Sequence, residues 1–195
     1  MLQLTAAELT SITTGLRRHG LPVYLCGLSL GGLYAAMAAI NGAPVDALVL
    51  VTPAADMQPS MARTRIGRRY QSMLVRRGDP VPPEDVLTAL GLPYRARTFD
   101  RPLPADRVFI AHGIHDGVVP LGVVTALARR WHVRLHAYAC GHMSLLFLEP
   151  AVQRDVKAFL QACLDGDPGR ATTSRQRARA RPRGGLRGAA RPSRG

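Results

Sequence analysis

The segment Gly27-Leu28-Ser29-Leu30-Gly31 joins two apolar stretches and limits the folds that this chain can adopt. Residues 23–26 before it are rich in strand-favouring side chains, and residues 32–40 after it favour a buried helix. A serine on so sharp a turn lies in strained backbone, and small residues are needed where the strand and the helix crowd each other. The pattern therefore predicts a strand, a tight turn with Ser29 at its apex, and a helix.

Two interpretations of this turn are open. In one, Ser29 is a nucleophile, and the turn directs the first amides of the following helix, that of Leu30 among them, at the group that the serine attacks. In the other, the segment is an ordinary tight turn, because glycine and serine are common turn residues. The strand–turn–helix context favours the nucleophile.

Two later segments carry an acid and a histidine. Residues 107–113 predict a buried strand that runs into a turn with Asp116, and residues 133–139 predict a strand that ends in a turn with His142. The carboxyl ends of parallel strands meet at one edge of a sheet, so we expect Ser29, Asp116 and His142 to lie close together. Taken alone, Asp116 is a turn aspartate, since Asp often precedes Gly.

With these three segments the chain resembles the alpha/beta-hydrolases. The matching pieces are Gly-Leu-Ser-Leu-Gly-Gly, Asp-Gly-Val-Val-Pro and Gly-His-Met-Ser, within residues 5 to about 163. The resemblance implies an α/β fold, a mostly parallel sheet flanked by helices, and a serine hydrolase of esterase or lipase type. Its substrate would be a small acyl compound, and it would need no cofactor. Ser29 would attack, His142 would act as the base, Asp116 would orient the imidazole, and the Leu30 amide would bind the oxyanion.

One departure from the family pattern concerns the start of the chain. Alpha/beta-hydrolases place further strands and a second oxyanion donor before the nucleophile strand, whereas this chain begins one helix before it. The resemblance therefore implies a truncated fold that lacks the N-terminal strands. The nucleophile strand would have an apolar edge, which predicts self-association through that edge. The alternative to an active enzyme is a non-catalytic hydrolase-like fragment that acts as an interaction module.

Residues 1–168 are expected to form the hydrolase-like domain, with a helical cap insertion at about 54–105. The insertion is rich in Pro, Met and Arg and predicts short helices at 60–77 and 84–91. Its larger apolar side chains either line an acyl pocket or pack the insertion against the body, and packing is the favoured interpretation. These side chains are Met57, Met61, Tyr70, Met73 and Tyr94.

Helical periodicity predicts three further helices, at 5–19, at 121–130 and at 151–164. Thr5 and Glu8 have the spacing of a capping box at the start of the first one. Its apolar stripe is expected to consist of Leu9, Ile12 and Leu16.

The basic charge of the chain lies mainly in its tail. Residues 170–195 carry nine arginines and no acid, so that removing these nine charges from the formal net charge of +13 leaves +4 for the rest. Residues 169–195 are of low complexity and are expected to be disordered. The tail has no aromatic residue on which bases could stack, so nucleic-acid binding is not the favoured function.

The remaining composition limits the location of the protein and its metal content. No apolar run reaches the roughly 20 residues of a membrane span, and the first residues do not resemble a secretory signal. Three cysteines, an odd number, indicate reduced thiols and a cytoplasmic location. The six histidines are scattered without the spacing of zinc ligands, so no metal site is expected.

Overall fold

The computed structural model describes residues 2–74, 100–147 and 149–167. Four strands in these residues form one parallel sheet in the order β1-β2-β3-β4, with β1 Tyr24–Leu28, β2 Ala47–Val51, β3 Val108–Gly113 and β4 Leu135–Tyr138. The helices of the described residues are α1 Leu2–Arg18, α2 Leu30–Ile40, α3 Met57–Arg63, α4 Arg65–Leu74, α5 Leu121–Arg130, α6 His142–Phe147 and α7 Pro150–Leu164. This architecture confirms the predicted α/β fold, with a parallel sheet flanked by helices.

The sheet divides the hydrophobic core into two clusters. Leu48 and Leu50 of β2 lie in a buried cluster with residues of α1, α2 and α5. Val49 of β2 and Phe109 of β3 lie in a second cluster, with residues of α6 and α7. Side chains alternate along a strand, so successive residues of β2 enter different clusters. The near-continuous apolar sequence of β2 follows from this two-sided burial.

The carboxyl ends of the strands lie at one edge of the sheet. Leu28, the last residue of β1, is paired with Val51, the last residue of β2. Gly113 at the end of β3 is likewise paired with Tyr138 at the end of β4. The four segments that follow these residues therefore leave the sheet on the same side. The sequence-predicted site residues all belong to three of them.

The first helix differs from its prediction in two respects. It begins at Leu2, so Thr5 lies inside the helix and the predicted capping box does not form. Its buried face is also rotated around the helix axis relative to the predicted one. Ala6 and Thr13 are buried, whereas Ile12 and Leu16 are 59% and 43% exposed. Only Leu9 of the predicted stripe packs against the core.

An ion pair joins the end of α1 to the starts of two strands. Both terminal nitrogens of Arg17 donate to Asp46, each at 2.7 Å. The same carboxylate accepts a 2.8 Å hydrogen bond from the amide of Val23, and the amide of Asp46 donates back to the Val23 carbonyl oxygen. Asp46 therefore fixes the entries to β1 and β2 relative to each other as well as binding Arg17.

In the described part of the predicted helix at 60–77 there are two helices, α3 and α4, with Thr64 between them in extended backbone. The Thr64 hydroxyl oxygen accepts a hydrogen bond from the amide of Gly67, which caps the first turn of α4. Two of the methionines in this region behave as packing residues, since Met61 is buried in the core and Met57 packs against it.

The third methionine, Met73, is 66% exposed. The predicted helix at 84–91, the residue Tyr94, the side chain of Tyr70 and the tail at 169–195 lie outside what the structure describes. None of the described helices has the length and apolar character needed to cross a lipid bilayer.

Candidate active site

Ser29 occupies the sharp turn between β1 and α2. Its backbone has φ 52° and ψ −118°, a conformation that is strained for any residue other than glycine. Hydrogen bonds hold this conformation: the Ser29 amide donates to the Val51 carbonyl oxygen, and the Ser29 carbonyl oxygen accepts from Gly32 and Ala54, all at 3.0 Å. The turn is therefore anchored to the end of β2 as well as to its own helix.

Of the three glycines near Ser29, only Gly27 and Gly32 lie where a side chain would clash. Gly31, which lies two residues after the serine as Gly27 lies two before it, does not. A Cβ atom on Gly27 would lie 2.7 Å from the Ala35 Cβ atom and would also strike the Gly31 carbonyl oxygen. A Cβ atom on Gly32 would lie 2.9 Å from the Cβ atom of Pro53. At Gly31 a Cβ atom would meet nothing within 4 Å. The predicted crowding thus falls at Gly27 and Gly32.

The structure brings Ser29, His142 and Asp116 into one chain of contacts. The Nε2 atom of His142 lies 3.0 Å from the Ser29 Oγ atom, and its Nδ1 atom lies 2.7 Å from the Asp116 Oδ2 atom. The Asp116 side chain is fully buried, and that of His142 is 10% exposed. His142 is the first residue of α6, where the sequence predicted only a turn.

Each carboxylate oxygen of Asp116 has a different set of donors. Oδ1 accepts 2.8 Å hydrogen bonds from the amides of Val118 and Val119, as a turn aspartate does. Oδ2 faces His142. Burial raises the pKa of this carboxyl, but hydrogen bonds from His142, Thr52 and the two amides more than offset it and lower the pKa to about 2. Asp116 is therefore ionised at neutral pH.

Thr52 is a site residue that sequence reasoning missed. It follows β2, is fully buried, and its hydroxyl group donates to the Oδ2 atom of Asp116. Its Oγ1 atom also lies 3.1 Å from the Nδ1 atom of His112 and 3.4 Å from the Nδ1 atom of His142. The available signal was position alone: Thr52 is a polar residue at the carboxyl end of a buried strand, where ligands bind in parallel sheets.

The other histidines near these segments have separate surroundings. His112 is fully buried at the end of β3, and burial lowers the pKa of its imidazole. His115 is exposed. His136 of β4 stacks on Phe109 of β3, with ring centroids 4.3 Å apart.

Solved structures of several esterases and lipases are similar in fold to this chain. Est1E from Butyrivibrio proteoclasticus is 24% identical with a TM-score of 0.52, and the match covers 74% of this chain and 62% of Est1E. A hydrolase from Pseudomonas aeruginosa is 19% identical with a TM-score of 0.54, over 82% of this chain and 72% of its own. The monoacylglycerol lipase of Paleococcus ferrophilus is 17% identical with a TM-score of 0.52, and the match covers 84% of this chain and 75% of the lipase.

This chain has the alpha/beta-hydrolase fold. It spans less than two thirds of the length of Est1E. No protein-family model and no curated protein sequence matches it.

In the alpha/beta-hydrolase fold of this chain, the amide of Leu30 stands at the start of α2, directly after Ser29. The first amides of a helix have no acceptor within the helix, so they are available to a group outside it. The positive end of the helix dipole adds to their attraction for an anion. The predicted oxyanion donor, the Leu30 amide, thus lies in the first turn of α2, next to the serine. Within the described residues, the site included, no three His, Cys, Asp or Glu side chains are grouped so as to hold a metal ion.

Proposed function

We propose that this chain is a serine hydrolase of esterase or lipase type, with Ser29, His142 and Asp116 as its catalytic triad. The observation that carries the proposal is the continuous contact from the Ser29 hydroxyl through the His142 ring to the Asp116 carboxylate, at 3.0 Å and 2.7 Å. Serine is a weak nucleophile unless a neighbouring base takes its proton, and this geometry supplies the base.

The reaction follows from the atoms that face each other. His142 Nε2 removes the proton from Ser29 Oγ as that oxygen attacks the acyl carbon, and it then protonates the leaving group. Because Asp116 is ionised, its Oδ2 atom accepts the Nδ1 proton of His142, which leaves Nε2 as the acceptor that faces the serine. The amide of Leu30 donates to the oxyanion of the tetrahedral intermediate. In the second half of the reaction His142 Nε2 removes a proton from water, which attacks the acyl carbon. His142 then returns that proton to Ser29 Oγ as the acid product leaves.

The structural neighbours suggest which acyl compounds to offer the protein first. Est1E has been solved with ferulic acid bound, and the Paleococcus protein is a monoacylglycerol lipase. A first substrate panel for this chain therefore contains a feruloyl ester, a monoacylglycerol and short-chain nitrophenyl esters. A cytoplasmic location belongs to the same proposal, supported by three cysteines that are all free.

Labelling with a fluorophosphonate probe tests the proposed nucleophile directly. We expect the probe to label the wild type and Ser72→Ala, a control at an exposed helical serine, but not Ser29→Ala. Equal labelling of the Ser29→Ala and wild-type proteins would contradict the proposal. Hydrolysis of the substrate panel is measured on the same three proteins, so loss of labelling can be compared with loss of turnover.

A second candidate function is self-association at the edge of the sheet. Within the described residues β1 pairs only with β2, and Cys26 and Leu28 on β1 are exposed. An unpaired apolar strand edge is a template for another chain. We expect sedimentation velocity to show a dimer whose population rises with concentration and falls in Cys26→Lys. A wild type that stays monomeric at every concentration would contradict this candidate.

A further inference from the structure

Two buried polar side chains stand behind Asp116 and take no part in the proton relay proposed above. Thr52 and His112 are each fully buried. The Nδ1 atom of His112 lies 3.1 Å from the Thr52 Oγ1 atom and 3.9 Å from Asp116 Oδ2. Burying an imidazole and a hydroxyl beside a carboxylate is costly unless their hydrogen bonds are made, so the direction of each bond matters.

The number of protons available decides these directions. A threonine hydroxyl has one proton, and here it goes to Asp116 Oδ2, because an ionised carboxylate only accepts. The nitrogen of His112 that faces the same oxygen must therefore be a donor, Nδ1–H. A neutral imidazole then has its bare lone pair on Nε2. Within the described residues Nε2 has no hydrogen bond of normal geometry. The backbone of Val119 is one of the groups that act on this ring and raise its pKa against the larger effect of burial.

The backbone conformation of Thr52 is an independent indication that its hydroxyl group has a functional role. Its φ is 44°, in the left-handed region that a β-branched residue rarely adopts. Ser29, which follows the neighbouring strand β1, also has a positive φ, 52°. Strain of this kind persists where the surroundings impose it and is concentrated at functional sites. A glycine or an asparagine would fit the Thr52 backbone at lower cost, but neither would supply this hydroxyl.

We propose that Thr52 and His112 are positioning residues for Asp116: His112 Nδ1–H holds the Thr52 hydroxyl so that it donates to the carboxylate oxygen that faces His142. The Asp116 side chain is thereby fixed at both oxygens, Oδ1 by the amides of Val118 and Val119 and Oδ2 by Thr52. His142 then meets an acceptor of fixed orientation. The kinetic consequence rests on the proposed hydrolase function, whereas the hydrogen-bond directions do not.

Substitutions that differ in one hydrogen-bonding group test the kinetic consequence. Thr52→Val keeps the β-branched shape and removes the hydroxyl, and Thr52→Ser keeps the hydroxyl. We expect Thr52→Val to lower kcat about tenfold with KM within about twofold, the effect of losing a hydrogen bond to a charged group, and Thr52→Ser to keep most of the activity. Equal kcat values for Thr52→Val and the wild type, in a protein whose fluorophosphonate labelling confirms the nucleophile, would overturn the proposal.

A double-substitution cycle tests whether His112 acts through Thr52. His112→Phe removes the donor, and His112→Asn keeps an N–H close to the position of Nδ1. We expect His112→Phe to lower kcat and His112→Asn to restore part of it. Adding His112→Phe to Thr52→Val should lower kcat little further, because residues that act through one another are not additive. Multiplicative effects of the two substitutions would overturn the link between them.

A spectroscopic test on the wild type needs no activity. Nitrogen-15 NMR of the histidine rings should show His112 neutral, with a protonated Nδ1 and an unprotonated Nε2. The opposite tautomer would overturn the proposal even if every variant failed to fold. If the wild type neither hydrolyses esters nor reacts with the fluorophosphonate, the proposed function fails, while the NMR result still decides the hydrogen-bond directions.

Discussion

His142 and Asp116 meet through a single carboxylate oxygen, with the Nδ1 atom of His142 2.7 Å from Asp116 Oδ2. The other oxygen, Oδ1, is held by the amides of the turn that follows. One carboxylate thus shapes its turn and faces the imidazole at the same time. The two interpretations of Asp116, as a turn residue and as the carboxylate that orients His142, are therefore compatible.

Asp116→Asn should separate these two uses. Its side-chain oxygen can still accept from the amides of Val118 and Val119, while its NH₂ group would replace Oδ2 beside His142. A donor there favours the imidazole tautomer with its proton on Nε2, which can no longer accept the proton of Ser29. We expect kcat to fall about 10⁴-fold with the fold retained. The exposed Asp165→Asn is the control, and wild-type turnover in Asp116→Asn would exclude Asp116 from the triad.

The pKa of Asp116 predicts a pH dependence of stability. Its pKa falls from the ordinary 3.8 to about 2 in the folded protein, so ionised Asp116 stabilises the fold by about 2 kcal/mol above pH 4 or so. This stabilisation is lost as the pH falls through the folded pKa. We expect the difference in unfolding free energy between the wild type and Asp116→Asn to shrink between about pH 5 and pH 2. Urea unfolding across this range measures it, and a constant difference would contradict the prediction.

The ion pair of Asp46 predicts unequal effects for its two partners. Arg17→Ala removes an exposed ion pair, which is screened by salt and contributes little. Asp46→Ala also leaves the amide of Val23 without its side-chain acceptor, and should cost roughly 1–2 kcal/mol. Urea unfolding at low and high salt distinguishes the two. Equal losses that both disappear in high salt would show that only the ion pair matters.

The strands and the order of the candidate site residues could be predicted because both are local patterns. The apolar runs that became β2 and β3 needed no knowledge of the rest of the chain, and the serine turn carries its own glycines. Asp116 and His142 could be placed because each follows such a run. Parallel pairing then sends the ends of these strands to one edge of the sheet.

Thr52 could not be predicted in the same way, because its partners lie far away in the sequence. Nothing in the segment around it differs from an ordinary strand end, and its hydroxyl acquires a role only when β2 is placed between β1 and β3. The prediction of the buried face of α1 was wrong for a related reason. Periodicity identifies which residues share a face, but the position of the neighbouring helix decides whether Ala6 or Ile12 faces the core.

The split between α3 and α4 has a different cause. The sequence predicted one helix over residues 60–77, and Thr64 interrupts it. Thr64 can bond to backbone groups instead of continuing the helix, and in this chain its oxygen caps Gly67. Competition between a side chain and the backbone is difficult to predict, because threonine also occurs inside helices.

Gly27 and Gly31 form a matched pair for testing the serine turn. Gly27→Ala would place a methyl group against the Gly31 carbonyl oxygen and 2.7 Å from the Ala35 Cβ atom, where neither backbone nor a short side chain can move away. We expect a loss of about 1–3 kcal/mol and reduced fluorophosphonate labelling, because the helix must shift away from β1. Gly31→Ala meets nothing within 4 Å and replaces a helical glycine, so it should gain up to about 1 kcal/mol. Urea unfolding of both variants decides the matter: equal stabilities would mean that the close approach of β1 and α2 at Gly27 does not constrain the turn that presents Ser29.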